Sequence, residues 1–381
     1  MRIAFDAKRA FQNNTGLGNY SRMLIQSLAG DYAAHSYYLM APKPGHLFTP
    51  DMPNVQTVLP TGFYKNFRSL WRSYGVTQDL KQLSINLYHG LSNEIPAGIN
   101  SSGIKSVVTI HDLIFERYPK QYGAVNTAIY RRKFRYAAQH ADRVIAISKQ
   151  TKQDLINYYK TPEHKIDICY QSCNPIFEKQ ASLDELSRIK QKYNLPDHYF
   201  LYVGSIIERK NLLTICKALN ATAPSLDIPL VVIGNGGSYM ETVKSYIAQH
   251  GLGNRVIFLS EQATKNDTGF RSGDDFPAIY QQATAMIYPS LFEGFGLPIL
   301  EALWSRVPVI TSNLSCMPET GGDAAYYINP LNVEEMATAM ERIATDTTLR
   351  TDMTTKGIAH AHHFTTHAHA AAVMQVYQSL F

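Results

Sequence analysis

The chain has 381 residues, 45% of them hydrophobic and 18% charged, and a formal net charge of +5. This composition excludes an intrinsically disordered chain, and the length is enough for two or three domains with cores of their own. The charge is mild and spread out, which argues against a DNA or RNA partner and fits an anionic small molecule or weak contact with a membrane surface.

The opening "MRIAFDA" is too short for a signal-peptide core, and no apolar run approaches the roughly 20 residues of a spanning helix. A cytoplasmic protein is expected, at most peripheral at the inner face of a membrane. In the first half, apolar runs at 3–7, 37–41, 55–59, 86–89, 107–110, 144–147 and 166–170 predict strands, with helical patterns such as 19–28, 125–139 and 150–158 between them. The runs are continuous rather than alternating, which is the signature of buried parallel sheet. A polar stretch at 178–197, flanked by Pro175 and Pro196, reads as a hinge. The second half starts again, with strands predicted at 199–205, 229–236, 255–260, 285–290, 307–312 and 324–329, and a final helix from about Thr366. Two doubly wound domains facing each other are expected, with a ligand where the carboxyl ends of both sheets meet.

The residues with chemical potential fall at predicted strand ends. After the first strand, Gly16 and Gly18 in "NNTGLGNYSRML" form a loop into a helix. As a dinucleotide fingerprint it is poor, because Ser21 replaces the third glycine and no acidic residue ends the next strand. It suits a loop that brings backbone close to a phosphate, and equally a plain strand-to-helix turn. His111 ends the strand "VTIHDL", where an imidazole can bond a sugar hydroxyl. "GFYKNFRSLWRSYG", 62–75, mixes aromatic rings with Lys65, Arg68 and Arg72; it reads either as a face for an anionic bilayer or as a half-buried helix with a basic side.

In "VGSIIERKNL", Ser205, Arg209 and Lys210 put a hydroxyl and two cations beside a helix start, where Arg offers planar two-point contact to phosphate and Lys a point charge. Gly234 in "IGNGG" lies in another strand-end loop that can flank a nucleotide. "SLFEGFGLPILEA" follows a predicted strand, and Pro298 suits the first turn of a helix. Free N–H groups and the positive end of the helix dipole converge there, and Gly294 and Gly296 let a ligand approach the main chain. Glu293 and Glu301 can then accept from hydroxyls on either side, an arrangement that suits a sugar, a phosphate and a ribose together; a capped helix with a dipole-complementing Glu301 is the plainer alternative. No Asp-x-Asp motif lies at a strand end, so no metal site is expected. "DTGFRSGDD" at 267–275 reads as an excursion before a helix near Phe276. Cys169, Cys173, Cys216 and Cys316 lack zinc-site spacing and read as buried thiols, and the five histidines near the C-terminus (His360, His362, His363, His367 and His369) read as a solvated helix and loop.

Taken together and in order, these clusters resemble the family 4 retaining glycosyltransferases of the GT-B fold. The match is carried by Glu293 and Glu301 in an E-x7-E motif, by Arg209 and Lys210 in "ERKN", by Gly16-Leu17-Gly18 and by His111. "YHGLSNEIP" at 88–96 is similar to the branch holding bacterial mannosyltransferases of O-antigen and capsule assembly. The resemblance implies α/β architecture: an acceptor-binding Rossmann-like domain over 1–175, a nucleotide-sugar-binding one over 176–360, and a last helix, 361–381, crossing back onto the first.

It further implies that Arg209 and Lys210 hold the donor diphosphate and Glu293 the donor sugar. The amides of Gly294, Phe295, Gly296 and Leu297 would support sugar and phosphate, Glu301 would bond the ribose, and His111 would contact the donor sugar near the reacting carbon. The implied reaction moves a hexosyl group, mannosyl from GDP-mannose being favoured over a UDP-sugar, to a glycan or lipid-linked acceptor hydroxyl in surface polysaccharide biosynthesis, with no cofactor. The alternatives are a sugar-nucleotide epimerase and a non-catalytic two-lobed sugar or nucleotide binder. Two departures stand out: the segment 261–275 is longer than family members usually have before the base site, and "SCNPIF" at 172–177 replaces the usual Asn-Gly turn.

Overall fold

Val107 and Val108 are neighbours in sequence, point to opposite faces of one strand, and are both fully buried. A strand covered on both faces belongs in a parallel sheet between helical layers, and the chain builds two such sheets. The computed structural model describes residues 1–222, 225–263 and 267–381. The chain divides into two units, Met1–Ser172 with Phe364–Phe381, and Cys173–His363.

The first unit carries β1 (Arg2–Asp6), β2 (Ser36–Met40), β3 (Val55–Val58), β4 (Leu87–Gly90), β5 (Lys105–Ile110), β6 (Arg143–Ala146) and β7 (Ile166–Ile168). They pair in parallel in the order β3-β2-β1-β4-β5-β6-β7. The order reverses between β1 and β4, the place where a doubly wound sheet opens a crevice at its carboxyl edge. Ile3 and Phe5 of β1 pack with Leu24, Ile25 and Leu28 of the helix Gly16–Asp31, and with Val373, Met374 and Tyr377 of the terminal helix Thr366–Gln378. Ala4 points the other way, into a core with Tyr38, Trp71 and Leu80. The terminal helix thus completes the first unit, and Thr365 caps it by accepting from the Ala368 amide at 3.1 Å.

The second unit carries β8 (Phe200–Val203), β9 (Leu230–Ile233), β10 (Val256–Phe258), β11 (Ala285–Tyr288), β12 (Val309–Ser312) and β13 (Tyr326–Ile328). These are also parallel, in the order β10-β9-β8-β11-β12-β13, reversing between β8 and β11. Val232 and Ile287 meet Ile215 of the helix Leu212–Ala221 and Met340 of the helix Val333–Thr345.

The strands of this unit are shorter than the sequence patterns predict; β8, β9 and β11 stop where Gly204, Gly234 and Pro289 begin the turns. The stretch 178–197 is not a bare hinge. It folds as the helix Leu183–Tyr193, capped by Ser182 and buried through Ile189 and Tyr193, and the boundary between units falls before it at Ser172 and Cys173. The 267–275 excursion contains a short helix, Thr268–Ser272. Asp267 and Asp275 beside it accept from Lys192 at 2.7 and 2.6 Å and from Tyr193 at 2.9 and 2.7 Å, pinning the segment to that same helix. Part of the long 261–275 segment lies outside the described residues. The four cysteines are buried. The C-terminal histidines go to different neighbours: His360 faces the Glu319 carbonyl, His362 the Trp304 ring, His363 the His360 carbonyl and His367 Asp31, while His369 is buried against Tyr20. Among the described residues no helix is long and apolar enough to cross a membrane.

Candidate active site

Both sheets present chemistry at the carboxyl edge beside their point of reversal. In the second unit β8 is followed by a turn of 3-10 helix, Glu208–Lys210, and then by Asn211 with φ of 61°. Asparagine tolerates this left-handed conformation better than most residues, and here both ends of its side chain are used. Its Nδ2 donates to the Pro330 carbonyl at 2.6 Å, and its Oδ1 accepts from Thr214 at 2.7 Å. The kink aims Arg209 and Lys210 at the end of β11.

Glu293 lies there, buried. Its Oε1 is 2.9 Å from Arg209 Nη1 and 3.1 Å from Lys210 Nζ. It also accepts from Tyr288 and Ser290, each at 3.0 Å, and Lys210 donates to the Tyr288 hydroxyl at 2.7 Å. Burial pushes the Glu293 carboxyl up, but Lys210 and Arg209 outweigh it and hold the group below its ordinary value. Two cations share one carboxylate, so within this trio one positive charge is in surplus.

The next residues form the turn into the helix Leu297–Trp304. Gly296 has φ of 98°, a conformation that favours glycine. Ser315 accepts from the Glu293 amide at 3.3 Å and donates to its carbonyl at 2.9 Å, and Thr320 donates to the Phe295 carbonyl. These clamps fix the turn from outside. Among the described residues, the amides of Gly294, Gly296 and Leu297 donate to no protein acceptor. Three amides in the turn and at the helix start, beside surplus positive charge, suit an anion. Glu301, half-buried one turn on, accepts from Tyr280 at 2.8 Å, and burial pushes its carboxyl up to about 7 against the opposing pull of Tyr280 and Lys210.

Gly234 follows β9, where a Cβ would stand 1.9 Å from the Gly204 carbonyl oxygen, so the loops after β8 and β9 touch backbone to backbone. Ser205 is exposed beside them, its carbonyl accepting from Tyr202 at 3.0 Å.

The first unit's edge is different. Gly16 opens its helix with nothing within 4 Å of where a Cβ would be, while a Cβ on Gly18 would stand 1.8 Å from the Asn13 carbonyl oxygen. Gly18 is therefore required by the loop itself, and Gly16 is not. His111, past the end of β5, is buried, and its Nε2 donates to the Leu91 carbonyl at 2.9 Å. Burial pushes its imidazole down to about 4, with the Leu91 carbonyl opposing. The ring is thus neutral near pH 7 with the proton on Nε2, leaving Nδ1 as an acceptor. Tyr20 lies edge-on to it at 4.5 Å. Behind them His89 bonds Tyr377 at 2.5 Å and Thr109 at 2.8 Å, and Thr109 also meets Tyr20 at 2.9 Å.

The sequence reading missed Asn211, Tyr280, Tyr288 and Ser290. Asn211 directly after "ERK" offered a partial signal, since asparagine before a helix is ordinarily a cap in the extended region but is also among the few residues that visit the left-handed one. The tyrosines gave none, being ordinary strand and helix residues until folding sets them against the glutamates.

Residues 184–360 match the family model described as Glycosyl transferases group 1, and residues 14–175 match that of Glycosyltransferase Family 4. The chain is built from a glycosyltransferase family 4 domain followed by a glycosyl transferases group 1 domain. The first match spans the cationic cluster and both glutamates, and the second spans Gly16, Gly18 and His111. The chain is 24% identical to O-antigen chain mannosyltransferase B of Escherichia coli, with 96% of each chain covered. Among solved structures it is similar to a glycosyltransferase from Rickettsia africae, with TM-score 0.74 at 19% identity, covering 99% of this chain and 98% of that one. It is also similar to Anabaena HepE in complex with UDP-glucose, with TM-score 0.72 at 17% identity over the full length of both. The fold is that of the GT-B glycosyltransferases.

Proposed function

We propose that the chain transfers a mannosyl group from a nucleoside-diphosphate mannose, GDP-mannose being favoured, to a hydroxyl of a growing surface glycan, with the anomeric configuration retained. The observation that carries the reading is the buried trio Arg209, Lys210 and Glu293 beside the unspent amides of Gly294, Gly296 and Leu297. Its surplus positive charge suits a diphosphate, and its carboxylate suits sugar hydroxyls.

In the proposed step the bond between the sugar's anomeric carbon and the diphosphate oxygen breaks, and its electron pair leaves with the diphosphate. Arg209, Lys210 and the amides stabilise that developing charge, and they are already in place, so little reorganisation is needed. The acceptor oxygen bonds the anomeric carbon from the same face, and its proton passes to the departing phosphate oxygen. Glu293 orients the sugar by accepting from its hydroxyls, while Tyr288 and Ser290 hold the carboxylate. Glu301 accepts from the ribose, and Tyr280 fixes its angle. Gly234 and Ser205 flank the nucleotide. The first unit is assigned the acceptor side: Gly16 leaves main chain open to a ligand, and His111 Nδ1 accepts from a sugar hydroxyl. Mannose is supported by the name of the Escherichia coli relative, and a nucleotide donor by the UDP-glucose bound to the Anabaena neighbour.

The test is transfer from GDP-mannose and from UDP-glucose to a mannose-terminated glycan, with the product's anomeric configuration read by NMR. An α-linked mannoside formed only from GDP-mannose is the expected result. Inverted product overturns retention, preference for UDP-glucose overturns the donor, and turnover of donor to an isomer without acceptor overturns transfer itself.

A further inference from the structure

Residues 62–75 form short helical turns of changing form, broken at Asn66 and Phe67. Gly62–Lys65 is 3-10, Arg68–Leu70 is α and Trp71–Gly75 is a turn of π-helix that continues into the helix Val76–Gln82. One side faces the core: Trp71 is buried, and Gly75 is so close to Tyr64 that a Cβ would stand 2.5 Å from its ring. The other side is apolar too. Phe63, Phe67, Leu70 and Tyr74 recur at helical spacing and are 65, 51, 42 and 61% exposed. Phe63 and Phe67 stack in the open with ring centroids 4.5 Å apart. A helical segment apolar on both sides has a second apolar environment to meet.

Charge selects that environment. Lys65 and Arg68 are exposed among the rings, and no Asp or Glu occurs from 52 to 78. A second copy of the chain docked here about a two-fold axis would set these cations against their own copies, whereas anionic headgroups would neutralise them. Arg72, counted with the basic face in the sequence reading, is not on it. Its guanidinium turns inward, pairing with Asp6 at 2.5 Å and Glu94 at 2.7 Å. Asp6 ends β1 and Glu94 follows β4, so Arg72 ties the segment to the sheet edge that bears Gly16 and His111.

We propose that this face docks the first unit onto an anionic lipid bilayer, with Phe63, Phe67, Leu70 and Tyr74 entering the interface and Lys65 and Arg68 meeting headgroups. Arg72 transmits the anchorage to the acceptor-side edge, which fits an acceptor carried on a lipid. The docking stands apart from the transfer reading, because binding to vesicles is measured without turnover.

The experiment is co-sedimentation with phosphatidylcholine vesicles, with and without phosphatidylglycerol, at low and high salt. The wild-type chain is expected to pellet with the anionic vesicles. Phe63→Ser with Phe67→Ser should lower the partition coefficient at least tenfold on them. Lys65→Gln with Arg68→Gln should lower it by about 25-fold, near fivefold for each cation, and only where phosphatidylglycerol is present. Lys356→Gln, an exposed cation of the second unit, should change nothing. All variants alter exposed side chains, and unchanged thermal melts check their folds. Wild-type protein left in the supernatant overturns the proposal, as does equal binding by all variants. A wild-type dimer that the Phe pair converts to monomer without altering vesicle binding overturns it in favour of a self-association face.

Discussion

The two sheets end in opposite electrostatics. At the edge of the second, two cations converge on one carboxylate in a buried site with amides to spare. At the edge of the first, three histidines are buried and neutral: His111, pushed down to about 4 by burial against the Leu91 carbonyl, and His89 and His369, each pushed down to about 3 by burial and neighbouring imidazoles. On the proposed function, the same doubly wound geometry serves a charged diphosphate in one unit and uncharged hydroxyls in the other. The strand ends supply the position and the side chains supply the chemistry.

The largest effect that would break this contrast is removal of the surplus charge. Lys210→Met keeps the length of the side chain and loses its ammonium. If the second edge stabilises a leaving diphosphate, kcat should fall by about 10²–10³-fold, the scale of one preorganised donor to a developing charge, with the thermal melt retained. A variant with wild-type kcat would remove Lys210 from the chemistry. Glu293→Gln separates two roles of the same edge. It should cut transfer by about a hundredfold, because the sugar loses a charged acceptor, while GDP binds as tightly or more tightly, because Arg209 and Lys210 lose a competing anion. Titration calorimetry with GDP reads this directly, and weaker binding of GDP would mean that Glu293 positions the cations rather than competes for the phosphate.

Much of the second edge is legible in the sequence, because its parts sit within short stretches directly after strands: Arg209 and Lys210 after β8, Glu293 through Leu297 after β11. Continuous apolar runs likewise declare both parallel sheets. What is hidden depends on contacts between distant residues. Arg72 looks like one more surface cation until folding brings Asp6 and Glu94 around it. His89 and His369 are 280 positions apart, and only the return of the terminal helix brings both beside Tyr20 and His111. The stretch 178–197 looks polar enough for a hinge because a helix packed on one side carries its charges on the other, and within that helix only Ile189 and Tyr193 are buried.

The contrast also has a pH signature of intermediate size. Each buried histidine has a folded pKa below the unfolded value of about 6.5, so the unfolded state takes up protons that the folded state refuses. Their neutral burial is fully tolerated above pH 6.5, and stability is lost as pH falls from there toward 3–4, by up to about 1.4 kcal/mol per pH unit for each histidine. Glu301 acts in the opposite sense. Its folded pKa, pushed up to about 7 by burial, lies above the unfolded value, so its contribution is lost as pH rises from about 4.5 through 7. Acidification from pH 7 to 5 should therefore loosen the first unit before the second. Hydrogen exchange followed by mass spectrometry should show protection falling first in β4, β5 and the terminal helix. Uniform loss across both units would contradict the assignment of neutral histidines to one edge only.

The smallest expected effects separate two glycines in one loop. Gly18→Ala must push a Cβ into the Asn13 carbonyl, 1.8 Å away, and the loop has to move. A loss of about 1–3 kcal/mol in stability is expected from that overpacking. Gly16→Ala meets open space at the first position of a helix, where alanine is intrinsically favoured by up to about 1 kcal/mol, so the melt should hold or rise slightly. If the space over Gly16 admits a ligand, the same methyl group should raise KM for the acceptor several-fold without touching stability. If both variants behave alike in melt and in KM, Gly16 belongs to the fold as Gly18 does, and the first edge approaches its ligand through His111 alone.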